Sequence, residues 1–235
     1  MIELALVATF LRTAASRARL VGFAVAAAIV VLVAWRVGSG PTDNGLQRAA
    51  DLADVAGLSF LAPVAALVFG TAVLGDPADD ATLVYLWLRP IRRTTLAVSA
   101  CVGALLLAVP AAVIPAALVQ AVLPGGGLSG RAVAATALAV VAYTAVFVLL
   151  GVVTNRSLVW GIAYLLIVEQ FVARGGSSLG ALSIRAYAVS ILSTSGRVDS
   201  PVAYFSTGTS VVVLMVVAAA VPLLVAWRLH RAEIA

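Results

Sequence analysis

Lysine is absent from this sequence, and all fifteen of its basic residues are arginine. A phosphate-binding loop of the Walker type places a lysine ammonium on the nucleotide phosphates, so this chain carries no such loop. Schiff-base chemistry through lysine is excluded for the same reason. Histidine occurs once, at His230, and cysteine once, at Cys101 inside an apolar run. Neither a His/Cys metal cluster nor an intramolecular disulfide can be built from one residue of each. Charge is scarce as well: 11% of residues are charged and 63% hydrophobic, and the mean hydropathy is +1.13. Soluble domains are about a quarter charged. A water-soluble fold of this length cannot hide so much apolar surface, whereas a bilayer accepts it on the outside.

What is present is a series of long apolar runs. A membrane-crossing helix needs about 20 predominantly apolar residues. Six segments read as spans: Leu20–Val37, Leu52–Leu74, Leu96–Leu123, Ala132–Thr154, Leu158–Ala173 and Phe205–Trp227. They predict an all-α integral membrane protein, residues 1–235 forming a single transmembrane domain. The third run is long enough to tilt or bend, with Pro110 and Pro115 inside it, and the fifth is the shortest. Prolines within spans are tolerated where neighbouring helices or polar groups satisfy the freed carbonyls. Arg12, Arg17 and Arg19 precede the first run, but that run is long for a signal peptide and more spans follow. It is therefore expected to be retained.

Arginines beside the spans set the expected orientation. Nine fall on one side (Arg12, Arg17, Arg19, Arg89, Arg92, Arg93, Arg156, Arg228 and Arg231) and six on the other. The richer side predicts the cytoplasm, with both termini there and the chain crossing the cell inner (plasma) membrane. The net charge of +5 and pI near 10.1 do not point to nucleic acid, because the arginines sit at span ends and not in one patch. Ahead of the first span, Leu4, Val7, Ala8, Leu11 and Ala15 follow helical spacing, with Arg12 and Arg19 off the stripe. Residues 1–19 read either as a helix lying in the inner interface or as an extension of the first span. The outer segment 174–204 holds an apolar middle, Leu179–Leu192, too short and polar to cross. It either dips into the bilayer or lies on its surface.

The inner loop between the second and third spans is the informative one. Asp76, Asp79 and Asp80 open it, an apolar run with Thr82 follows, and Arg89, Arg92 and Arg93 close it around Pro90. Acid at the start and base at the end suit the dipole of a short helix, which Asp79 or Asp80 can cap and Pro90 can end. Such a helix at the membrane mouth suits docking of a soluble partner, although an ordinary basic cytoplasmic loop has the same composition.

This stretch resembles the inner loop of the ABC type-two permease family, where an acidic residue precedes Gly-Thr-Leu, an apolar run and a Pro-Ile-Ser-Arg turn. Asp80-Ala81-Thr82-Leu83 matches with Ala81 in place of Gly, and Arg89-Pro90-Ile91-Arg92-Arg93 matches with Arg92 in place of Ser. The layout is similar too: an N-terminal helix, six spans, a long outer segment before the last one and a basic tail. The resemblance implies a non-catalytic subunit that pairs with a second permease subunit, the same or related. Separate ABC ATPase subunits carry the ATP and magnesium. It implies that Asp76, Asp79, Asp80, Thr82, Arg89, Arg92 and Arg93 belong to a coupling segment, residues 76–93, that docks the ATPase. It also implies export, without selecting a cargo. A haem-export-type subunit is a close relative within the same class.

Two rivals stand outside that class. A secondary transporter places ionisable residues at mid-membrane and often shows duplicated halves; few charges are expected in these spans and no duplication is visible. A membrane enzyme would have to work through Asp, Glu, Ser or Tyr alone. Within the fifth span lies Glu169, beside Gln170. Thirteen residues beyond Arg156, at about 1.5 Å each, it lies about 20 Å along the fifth span. Two readings follow. Glu169 and Gln170 tie down the outer segment, through Arg174 or Arg185, or they line the outer end of a transport pathway.

Overall fold

The computed structural model describes residues 2–38, 45–79, 92–122, 129–154, 156–172, 175–193 and 200–231. Among them no strand forms and every regular element is helical. Helix α1 is Ile2–Ala14 and α2 is Arg17–Gly38. Helix α3 runs without a break through Gly45–Leu52, a π-wound stretch Ala53–Leu61, and Ala62–Asp79. Helix α4 is Arg93–Val122 and α5 is Ser129–Val153. Helix α6 begins as Ser157–Tyr164 and continues π-wound over Leu165–Phe171. The single turn α7, Ser177–Gly180, the short α8, Ile184–Ser193, and the long α9, Thr207–Arg231, complete the order.

Among the described residues, five helices are long and apolar enough to cross a membrane: Arg17–Gly38, Gln47–Pro77, Arg93–Val122, Gly130–Val153 and Thr207–Leu229. This is compatible with a multi-pass membrane protein, and the five coincide closely with runs read from the sequence. The expected fifth span differs. Its helix stops at Phe171, and fifteen residues at about 1.5 Å each fall short of the roughly 30 Å hydrocarbon thickness. Two local features shorten it. Glu169 is drawn into the interior at 2% exposure, and the chain turns soon afterwards at Gly176, whose φ of 94° only glycine adopts without strain.

Helix α5 is the hub, packing against α3, α4, α6, α8 and α9. Its approach to α3 depends on small residues. Ala62, Ala65 and Ala66 of α3 and Ala135, Ala139 and Ala142 of α5 are fully buried. At Gly151 the backbones come so close that a Cβ would sit 3.2 Å from both the Gly75 nitrogen and the Thr71 carbonyl. Helices that cannot gain from expelling water associate by such close backbone packing. Buried hydroxyls on these helices satisfy themselves locally: Thr71, Thr136 and Thr144 each donate to the carbonyl four residues earlier, at 2.6, 2.8 and 2.6 Å.

Helix α1 turns to the protein a stripe other than the apolar one read from its sequence. Leu6, Phe10 and Ala14 face α3 and α4, while Ala8 is exposed and Val7 and Leu11 are half-buried. Both stripes have helical spacing, and periodicity does not say which one meets protein. The Phe10 Cβ fits at Gly103 of α4, where an added Cβ would lie 3.1 Å from it. Helix α2 is peripheral; its buried residues are Phe23, Ala27, Ala34 and Gly38. Arg36 lies over the Trp35 ring at 5.6 Å near one end of α2, and Arg19 occupies the other.

Candidate functional site

The sequence singled out two groups of residues, and the fold places them toward opposite ends of α3. Asp76 belongs to the last turns of that helix. Its carboxylate is engaged within the chain, receiving Arg19 Nη1 at 2.6 Å and Nη2 at 3.0 Å. Both side chains are about one-third exposed, at 32% and 34%. This fork ties the start of α2 to the end of α3. Arg92 is exposed and Arg93, half-buried, opens α4. Asp79 closes α3, while Asp80, Thr82 and Arg89 lie outside the described residues, as does most of the expected coupling segment.

Glu169 stands in the second group, within a polar cluster enclosed by α3, α5, α6 and α8. Four donors converge on its carboxylate. Tyr164 Oη and the Ile184 amide reach Oε1, each at 3.1 Å, and Ser183 Oγ and the Arg185 amide reach Oε2 at 2.6 and 3.2 Å. Ser183, at the start of α8, is itself a helix cap, its Oγ accepting the Ala186 amide at 3.1 Å. Three successive amides at the head of α8 therefore have acceptors, two of them on a carboxylate from another helix. A negative charge there also complements the helix dipole.

This is how α8 can be buried although its sequence is too short and polar to cross a membrane. Nine of its ten residues, Ile184 to Leu192, are buried. It packs on α5 and α9 and on the π-wound part of α3. Ser190 Oγ donates to the Ala186 carbonyl at 2.7 Å and accepts the Phe205 amide at 3.2 Å. Tyr187 stacks on Phe205 with centroids 4.4 Å apart. These contacts join α8 to the segment entering α9.

Arg185 contributes its backbone to Glu169 and its guanidinium elsewhere. Nε and Nη2 grip Asp54 Oδ1 and Oδ2 at 2.9 and 2.8 Å, with side-chain exposures of 9% and 17%. The expected tie from Glu169 to the outer segment thus runs through Ser183 and two amides, not through the Arg185 guanidinium. Arg174 lies outside the described residues, and Gln170 is half-buried. Asp54 was not singled out by the sequence reading. The signal was available, since an acid two residues into an apolar run is costly unless it has a partner. Asp54 and Glu169 both lie in π-wound stretches, a winding that is rare and frequent at functional sites.

Few charges are buried among the described residues, as expected, and the two that are, Glu169 and Arg185, gather with the half-buried Asp54 in one cluster. Among the described residues, no three His, Cys, Asp or Glu side chains come together as a metal site. What the cluster can do chemically is hold α8 inside the bundle through charge and hydrogen bonds. No protein-family model matches the sequence, and no curated protein matches it.

Proposed function

We propose that the chain is the membrane-spanning permease subunit of an ABC transporter, an exporter driven by separate ATPase subunits. One observation carries the reading: the family-like pattern Asp80-Ala81-Thr82-Leu83 to Arg89-Pro90-Ile91-Arg92-Arg93 joins the second and third long apolar helices. The layout around it supports the reading, with a helix ahead of the first long one and a folded segment before the last. In this account the arginine-rich side is cytoplasmic, α1 lies at the inner interface, and residues 76–93 dock the ATPase. ATP closes the ATPase pair, the docked segment moves, and α3 and α4 carry that movement to α5, against which both pack. One equilibrium drives the other because the docked segment contacts the two ATPase states differently.

A second permease subunit is part of the proposal. Helices α2 and α6 expose large apolar side chains, among them Ile29, Leu32, Trp160 and Phe171, the last at 77%. Lipid and a second copy are the two environments that accept such faces.

One observation favours a secondary transporter instead, namely the buried Arg185 and Glu169 with the half-buried Asp54. It is the weaker reading, because the two carboxylates are already held by donors of the chain and exchange of an ion would require breaking them. Reconstitution in liposomes with the ATPase separates the two. ATP-dependent transport supports the permease; transport by the chain alone, driven by an ion gradient, supports the secondary transporter.

A further inference from the structure

Between the peripheral α2 and α4 lies an apolar trough. One hollow of about 610 Å³ is bounded by Ala24, Ala28 and Trp35 of α2 and by Pro115 and Leu118 of α4. A second, of about 330 Å³, continues it toward Leu20 and Pro110. The two share Ala24, Ala27 and Pro115, so they form one channel open along its side. Phe23 and Phe69, both buried and with ring centroids 6.0 Å apart, close its floor near Leu20.

Its dimensions suit one linear occupant. From Leu20 to Trp35 it follows α2 for about 22 Å, at about 1.5 Å per residue. One leaflet of hydrocarbon is about 15 Å deep, so a chain entering at the Trp35 end can stay in the trough through its own leaflet. The larger hollow, spread along α2 from Ala24 to Trp35, has a cross-section on the order of 40 Å². That is about half the section of a helix 10 Å across. A helix of a second copy is too wide to enter, whereas alkyl carbons pack about 4 Å apart.

An apolar lining does not by itself select a lipid, because lipid tails are as apolar as the side chains. Selection falls to the charges at the trough's end. Trp35 lines the trough, and the Arg36 guanidinium lies over its ring, 5.6 Å from the centroid. Tryptophan and arginine together suit the level of the lipid headgroups. Arg48 of α3 reaches the same end of α2, donating Nη1 to the Val37 carbonyl at 3.2 Å. Asp51, one turn further along α3, accepts Gln47 Nε2 at 2.9 Å. Two guanidiniums against one carboxylate leave this end positive among the described residues, and planar guanidinium donors match phosphate oxygens.

We propose that the trough holds one acyl chain of an anionic phospholipid whose phosphate lies against Arg36. The lipid would wedge α2 onto α4, whatever the chain transports.

Native mass spectrometry reads the assignment on the full chain, purified in detergent and supplied with phosphatidylglycerol or phosphatidylcholine of identical chains. Wild type should retain phosphatidylglycerol about fivefold better, the advantage that one arginine gives near an anionic lipid. Arg36→Gln should bring the two lipids to the same level. Ala28→Phe puts a ring into the trough and should lower retention of both. Ala24→Phe does the same one turn away; both alanines are exposed, so a folding defect at one position does not decide the result. Equal retention of the two lipids by wild type, or a preference that survives Arg36→Gln, would overturn the proposal. So would lipid retained unchanged by both phenylalanine variants. If those variants instead split a dimer and leave the lipid in place, a second copy covers the trough and the proposal fails.

Discussion

Arg185 closes a two-bond fork on Asp54 across 131 positions of sequence, fixing α8 to the π-wound part of α3. Fork geometry of this kind is specific to arginine, whose planar donors match the two carboxylate oxygens. Removing one partner of a buried pair leaves the other charge stranded, at a cost of about 3–5 kcal/mol. Arg185→Met and Asp54→Leu should each lower the melting temperature strongly, and the double variant should recover much of the loss. A double-mutant cycle on purified protein measures the coupling. Additive losses would mean that the fork contributes nothing beyond its parts.

Glu169 should prove graded in its response. Glu169→Ala strands the Tyr164 and Ser183 hydroxyls and two amides of α8, and hydrogen bonds to a charged group contribute about 1.5–3 kcal/mol each. Glu169→Gln keeps one acceptor oxygen but turns an N–H₂ toward donors, of which the amides cannot reorient. Thermal unfolding should rank wild type above Gln and Gln above Ala. If both variants melt like wild type and assemble normally but lose transport, Glu169 lines the pathway instead. Normal melting and normal transport in both would defeat each role.

Much of the framework was legible because a bilayer demands long uninterrupted apolar helices, and Leu20–Val37, Leu52–Leu74 and the other long runs display them. Two features were not. Whether Leu179–Leu192 dips inward or lies on the surface was open because what neutralises its polarity lies elsewhere, in Glu169 and Asp54. No local window contains those partners. The face of α1 that meets protein was not legible for a related reason: Leu6, Phe10 and Ala14 pack on α3 and α4, with Phe10 at Gly103, and their own spacing does not single them out. Asp54 was the readable signal that went unused, and with it an arginine partner could have been sought.

The Arg19–Asp76 fork is partly solvated, so its contribution to stability is small. Arg19→Ala or Asp76→Ala should each cost about 0–1 kcal/mol. The exchange Arg19→Asp with Asp76→Arg should melt within experimental scatter of wild type. A large loss from either alanine would show that the pair sits in a far drier setting than its one-third exposure indicates.

Gly151 tests the close approach of α3 and α5. An alanine there meets backbone atoms of Gly75 and Thr71 at 3.2 Å, and backbone cannot rotate aside. Overpacking of this kind costs about 1–3 kcal/mol. Gly22→Ala is the control, since nothing lies within 4 Å of its added Cβ. Melting should fall for Gly151→Ala and stay level or rise for Gly22→Ala. Equal behaviour of the two would contradict the packing described here.

The most direct measurement of the proposed function is retention of the ATPase. The chain, coexpressed with an ABC ATPase encoded beside it and solubilised in detergent, should bring that ATPase through purification. Arg92→Glu combined with Arg93→Glu should release it while leaving insertion and melting of the permease intact. Each single reversal should be mild, because charge pairs that stay in contact with water individually contribute about 0–1 kcal/mol. Full retention by the double variant would place docking elsewhere on the chain. Failure of the wild-type chain to hold an ATPase, together with transport in liposomes without ATP, would contradict the account at its centre.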